Sequence, residues 1–121
     1  MEIQNRLMLR SLAEDGEFAR LALRGLVEHW IPKIGECLKA AITGGDAEAG
    51  PVSATSAGWF AHHLPATIMS YLLPATPAID YGLSSDKLVE QAVWFILRGM
   101  GLKEEAIARH YNPKALSLLV S

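Results

Sequence analysis

A single cysteine, Cys37, stands among 121 residues. No intrachain disulfide can form, and with no charged-then-apolar leader at the start the expected compartment is a reducing cytoplasm. Asp, Glu, Lys and Arg are missing altogether from Ala49 to Ile79. Pro51, Pro65, Pro74 and Pro77 and the pair His62-His63 interrupt that stretch. No clean apolar run of about 20 residues remains, so a membrane span is excluded and a buried helix is the simpler cause of the missing charge. Neither sign of charge dominates: the net charge is −2, and Arg6, Arg10, Arg20 and Arg24 are interleaved with Glu14, Asp15, Glu17 and Glu28. Nucleic acid needs basic side chains concentrated on one face, and none is concentrated here. Runs of alternating β-branched residues and hairpin turns are also missing, as are internal repeats and low-complexity segments.

Catalytic signatures are equally scarce. There is no nucleophile elbow, no Gly-rich phosphate loop and no helical two-His zinc motif, so no enzymatic activity and no cofactor are expected. His62 and His63 are neighbours on a helix and point about 100° apart. They cannot chelate one metal ion together unless His29 or His110 comes across, and no metal site is assigned. A small helical enzyme or metal protein using His62 or His63 with a carboxylate remains the third-ranked alternative. Cys37, beside an apolar stripe, reads as a buried, inert thiol.

What is present is helical periodicity. Ser84 to Leu102 is the densest apolar segment, with Ser84 or Ser85 as cap, Asp86 and Glu90 near the positive end of the dipole, and Arg98, Gly99 and Gly101 at the other end. Apolar side chains wrap most of its circumference from Ala92 to Leu97, which implies burial on two sides, the second against another molecule. Glu2 to Glu14 reads as a helix with Ile3, Leu7, Met8 and Leu12 inward, broken at Asp15-Gly16. It opens without a capping residue, as a piece of a longer protein would. From Glu17 to Thr43 the phase of Leu23, Val27, Trp30, Ile34, Leu38 and Ala41 survives Pro32. One bent helix is expected, two abutting helices being the alternative; Gly44-Gly45 ends it.

Ser53 caps the next helix, which runs to about Leu73 with Ala57, Ala61, Leu64, Ile68 and Leu72 as its core stripe. Ala54, Gly58, Ala61 and Pro65 make a small-residue ridge that lets another helix come close. Trp59, His63, Ala66 and Ser70 make a mixed line of aromatic ring, imidazole and hydroxyl. Pro74 to Leu83 is a rigid loop pinned by Ile79 and Tyr81. Lys103 to Tyr111 is a short helix with Ala106, Ile107 and His110 or Tyr111 inward, and Asn112-Pro113 starts a last turn or two through Leu119. Trp30, Trp59 and Trp94 lie on three helices; they either fill the core or line a pocket between helices with His63, Thr67, Ser70 or Tyr71 as its polar contacts. The fold expected is all-α, a bundle of five to seven helices with no sheet, in one domain over residues 1–121.

The pattern RLMLRSLAEDGEFARLALRGLVEHWIPKIGECLKAAITGG, followed by WFAHHL and LVEQAVWFILRGMGL, resembles the C-terminal regulatory domain of tetracycline-repressor-type (TetR) transcriptional regulators. The resemblance covers nearly the whole chain and excludes that family's diagnostic helix-turn-helix, so DNA is contacted only through a missing N-terminal domain. It implies a homodimer joined by a four-helix bundle, two helices from each protomer. Here those are Ser53 to Leu73 and Ser84 to Gly101, with Ala54, Gly58, Ala61, Pro65, Phe95, Ile96 and Gly99 at the seam. It also implies a small apolar or aromatic effector between the helices, lined by Trp30, Ile34, Trp59, His63, Thr67, Ser70, Trp94 and Leu97. The alternative is a helical homodimer module with no ligand.

Overall fold

The computed structural model describes residues 2–112, so the turn expected from Pro113 to Leu119 lies outside the described residues. Within them every regular element is a helix. In α1 (Glu2–Ala13), Arg6 pairs with Glu2 at 3.0 Å and Arg10 with Glu14 at 3.3 Å, both one turn apart on the exposed side. The break comes where Asp15-Gly16 predicts it, with Gly16 in the left-handed region at φ 74°. The face that α1 turns inward is only partly the expected one: Met8 is half-buried, but Leu7 is exposed. Ser11 is buried, whereas Ile3 and Leu12 are 74% and 60% exposed. The reason is local: Ser11 Oγ accepts the Ala19 N–H at 3.0 Å and its carbonyl accepts the Gly16 N–H at 2.8 Å. A hydroxyl on one helix thus satisfies an orphan donor in the first turn of the next, α2 (Glu17–Gly25), and this fixes the rotation of α1.

A π turn, Leu26–Trp30, carries α2 into α3 (Ile31–Thr43) without a break in the chain path, as the bent-helix reading expects. The wide turn sits immediately before Pro32 and is closed by the Ile31 N–H on the Leu26 carbonyl. Widening the turn gives the proline ring room at the Glu28 carbonyl it would otherwise strike. On α3, Ile31, Gly35 and Leu38 are buried and Ile34 is half-buried. Cys37, about 100° round from that line, is exposed, which corrects the buried thiol expected from sequence.

Both ends of α3 and of its partners are written in short-range chemistry. Gly45 (φ 85°) closes α3 by a Schellman motif, Asp46 N–H to Ala41 carbonyl at 2.9 Å and Gly45 N–H to Ile42 carbonyl at 3.1 Å. Ser53 caps α4 (Ala54–Tyr71) by accepting the Ser56 N–H at 3.1 Å, and α4 continues through Pro65. Arg6 reaches from α1 to the Leu73 carbonyl at 2.9 Å, tying α1 to the end of α4. The loop that follows is held by the Ala78 N–H on the Tyr71 carbonyl at 2.9 Å; Ile79, expected to pin it, is exposed. Ser84 caps α5 (Ser85–Gly99), which ends in a second Schellman motif around Gly101 at φ 100°.

The segments leaving α3 and α5 then pair. The Glu48 N–H meets the Gly101 carbonyl and the Lys103 N–H meets the Asp46 carbonyl, each at 2.9 Å, in an isolated antiparallel bridge between Ala47 and Leu102. Arg109 of α6 (Glu104–His110) adds a 2.8 Å ion pair to Asp46. Ala106 and Ile107 of α6 are buried, as expected. The core gathers where α3, α4 and this clamp meet, around Leu38, Ala47 and Ala57 with Ile42, Met100 and Leu102. It is thin: among the described residues, four of the seven buried apolar ones, Ala19, Ala47, Ala57 and Ala106, are alanines.

Candidate functional site

Two concavities flank α4. The first is a cleft of about 300 Å³ between α1 and α4. The i, i+3 and i+4 spacing of Trp59, His62 and His63 brings all three rings to it. The His63 ring stacks on Trp59 at 5.8 Å and 29°, and the His62 ring stands edge-on to Trp59 at 6.2 Å and 86°. Thr67, Ala66 and Ser70 continue the wall one and two turns on, and Asn5, Met8, Leu9 and Leu12 of α1 with Leu23 of α2 face them. The Ser70 hydroxyl is engaged, donating to the Ala66 carbonyl at 2.9 Å. The Nδ1 atom of His62 is buried and has no hydrogen-bond partner. Burial, and then the neighbouring His63, hold the His62 imidazole below its ordinary value of 6.5. Among the described residues no Asp, Glu, Lys or Arg lines the cleft.

The second concavity is an open groove of about 470 Å³ walled by α4 and α5. Its floor is Ala57, Ala61, Leu64, Ile96 and Met100, and Thr67 and His63 are its few polar members. Phe60 and Phe95 stand on its rim, 59% and 68% exposed. Gly99 opens it further, since a Cβ added there meets nothing within 4 Å.

The residues expected to share one pocket are divided among several places. Trp59, His63, Thr67 and Ser70 come together in the α1–α4 cleft. Trp94 lies on another side of α5, in a concavity with Glu90, Ile107 and Tyr111, and the Arg98 guanidinium lies 5.9 Å from its ring centre. Trp30 sits on the π turn, 63% exposed. Ile34 on α3 and Leu97 on α5 are half-buried and line neither the cleft nor the groove. Of the residues assigned to a seam, Ala61, Phe95, Ile96 and Gly99 line the groove. Pro65 is exposed on α4 and does not line it.

Ala54 and Gly58 are corrected: they face α3 of the same chain. A Cβ on Gly58 would lie 3.4 Å from Ile31, and one on Gly35 would lie 3.6 Å from the Ala54 Cβ. The small-residue ridge does permit a close helix approach, and the helix that uses it is α3. Gly35, not singled out in the sequence, is the matching notch.

Sequence reasoning gave His62 only a metal or catalytic role, and it missed Phe60 and, on α1, Asn5 and Leu9. The signal for His62 was its i+3 spacing from Trp59. On α1 the spacing did put Met8 and Leu12 inward, where they line the cleft, whereas Ser11 in a row of leucines reads as an outward position. Among the described residues no three His, Cys, Asp or Glu side chains gather closely enough to hold a metal ion, and no helix is long and apolar enough to cross a membrane. No family model, no curated protein and no solved structure matches the chain.

Proposed function

We propose that this chain is the dimerisation and effector-binding domain of a tetracycline-repressor-type transcriptional regulator, with the α4–α5 groove as its two-fold seam and the α1–α4 cleft as its effector site. The observation that carries the reading is the groove itself. It is walled by the two helices that the family resemblance assigns to a four-helix interface, and two phenylalanines project from its rim. A two-fold contact is isologous, so Phe60 and Phe95 of one protomer fill the groove of the other.

The surface area supports the same reading. The chain exposes 8822 Å², against about 6,400 Å² for a compact monomer of 121 residues. Ten fully extended residues carry at most about 1,600 Å², so chain ends do not account for the difference. Standard interfaces bury about 800 Å² per partner, which fits inside it.

Light scattering at micromolar concentration tests the seam: a dimer is expected, and a monomer throughout that range overturns the proposal. Thermal shift against a library of apolar and aromatic small molecules tests the effector half. A ligand at about 100 times its dissociation constant adds about 2.7 kcal/mol. A dimer that no compound stabilises is instead a structural homodimer module.

A further inference from the structure

We infer that the α4–α5 seam is operated by protons: the two protomers part when His63 of each takes up a proton. This names a regulation of the seam proposed above and rests on that reading.

The first observation is position. On α4, His63 follows Phe60 by three residues and precedes Thr67 by four, so the three share one side of the helix, and all three line the groove. Phe60 is a rim residue that the two-fold contact takes into the partner. His63 is exposed in the single chain and lies in the same footprint, so a partner seated on the groove takes water from its ring.

The second is the want of a counter-charge. α5 presents Phe95, Ile96, Gly99 and Met100 to the groove, and its Lys87, Glu90 and Arg98 line concavities on its other sides. Across α4, the cleft sets the Trp59 ring 5.8 Å from that of His63, and α1 and α2 bring Asn5 and aliphatic side chains. Among the described residues that line either concavity, His62 is the other titratable group; its ring centre lies 5.8 Å from that of His63, and its charge has the same sign. A two-fold contact pairs this lining with its own copy, so the partner's groove brings no carboxylate either. A neutral imidazole can enter such a seam, whereas an imidazolium would give up its hydration with nothing to replace it. Imidazole is also the side chain whose charge changes in mildly acid solution. Proton and partner therefore compete for His63, and two protonated chains must each release one proton to associate.

Sedimentation equilibrium of the full chain at about pH 7.5 and 5.5, at fixed salt, tests this. The dimer dissociation constant is expected to rise about a hundredfold at the lower pH, tenfold for each of the two imidazoles, while circular dichroism stays helical. His63→Gln keeps the dimer and loses the pH dependence; His62→Phe keeps both. Dilution calorimetry of the unsubstituted chain at about pH 6, in two buffers of different ionisation enthalpy, supplies a measure that does not depend on any variant folding: roughly one proton per subunit is taken up on dissociation. No proton uptake, a pH dependence that survives His63→Gln, or loss of helix at the lower pH overturns the inference. A dimer equally tight at both pH values overturns it and leaves the seam standing; a monomer at both overturns the seam as well.

Discussion

His62 shows how one side chain couples a site to its conditions. Burial disfavours the charged imidazole in the folded chain, so the unfolded chain binds the proton more readily. Stability is therefore fully present above the ordinary value of 6.5 and is lost as pH falls through it, levelling off once the folded imidazole also protonates. His63 is the one other titratable group among the described residues of the cleft, and its charge works in the same direction on His62. Denaturant titrations between pH 8 and 5 are expected to show this decline and to show a shallower one for His62→Phe. Identical slopes in the two proteins would remove His62 as the cause. The residues that sequence reading placed well are those whose partners lie within a turn. Ser53 and Ser84 cap because a hydroxyl reaches a backbone N–H three residues on, and Gly45 and Gly101 take positive φ where a helix must stop. Ser11 was missed because its partner, the Ala19 N–H, belongs to the next helix.

Helices were legible as elements, and their rotation about their own axes was not. Periodicity gives a helix an apolar side, but α1 has leucines most of the way round, so its inward direction is decided by the Ser11 contact. On α4 the mixed line Trp59, His63, Ala66 and Ser70 does face one cleft, because the spacing alone puts those residues on one side. The ridge of Ala54 and Gly58 was legible as a close-approach surface without naming its partner. That partner is set by Gly35, and a lone glycine within a helix sends no periodic signal.

The ends of α3 and α5 offer a test at this scale. Gly101 has φ 100°, and a Cβ there would lie 2.5 Å from the Glu48 carbonyl oxygen. Gly82 has φ 69° with nothing within 4 Å. Gly82→Ala meets only backbone strain and is expected to cost about 1 kcal/mol, whereas Gly101→Ala adds the clash and is expected to cost about 2–4 kcal/mol. Urea titration measures both; equal losses would show that the clamp yields freely.

At the scale of the molecule, a core made largely of alanines leaves much apolar surface uncovered. Phe95 separates folding from assembly because it is 68% exposed in the single chain. Phe95→Glu should change the stability of the isolated subunit by no more than about 0.5 kcal/mol. At a two-fold seam the same carboxylate enters the partner's apolar groove and loses its water, so the dimer should dissociate while circular dichroism stays helical. A variant that remains dimeric by light scattering places the seam elsewhere. The second apolar side of α5 was legible in its circumference, but the groove beside it depends on how α4 and α5 are spaced, which no single helix encodes.

The bridge between Ala47 and Leu102 also constrains the order in which the chain folds. It closes a loop of 55 residues, 102 less 47, and closing such a loop costs about 3.5 kcal/mol in chain entropy before any constant is added. Its two hydrogen bonds return about 2 kcal/mol net. The bridge therefore cannot nucleate the structure. It forms after α3, α4 and α5 have packed, as a late seal, and whatever pries α4 from its neighbours loosens the seal before it melts a helix.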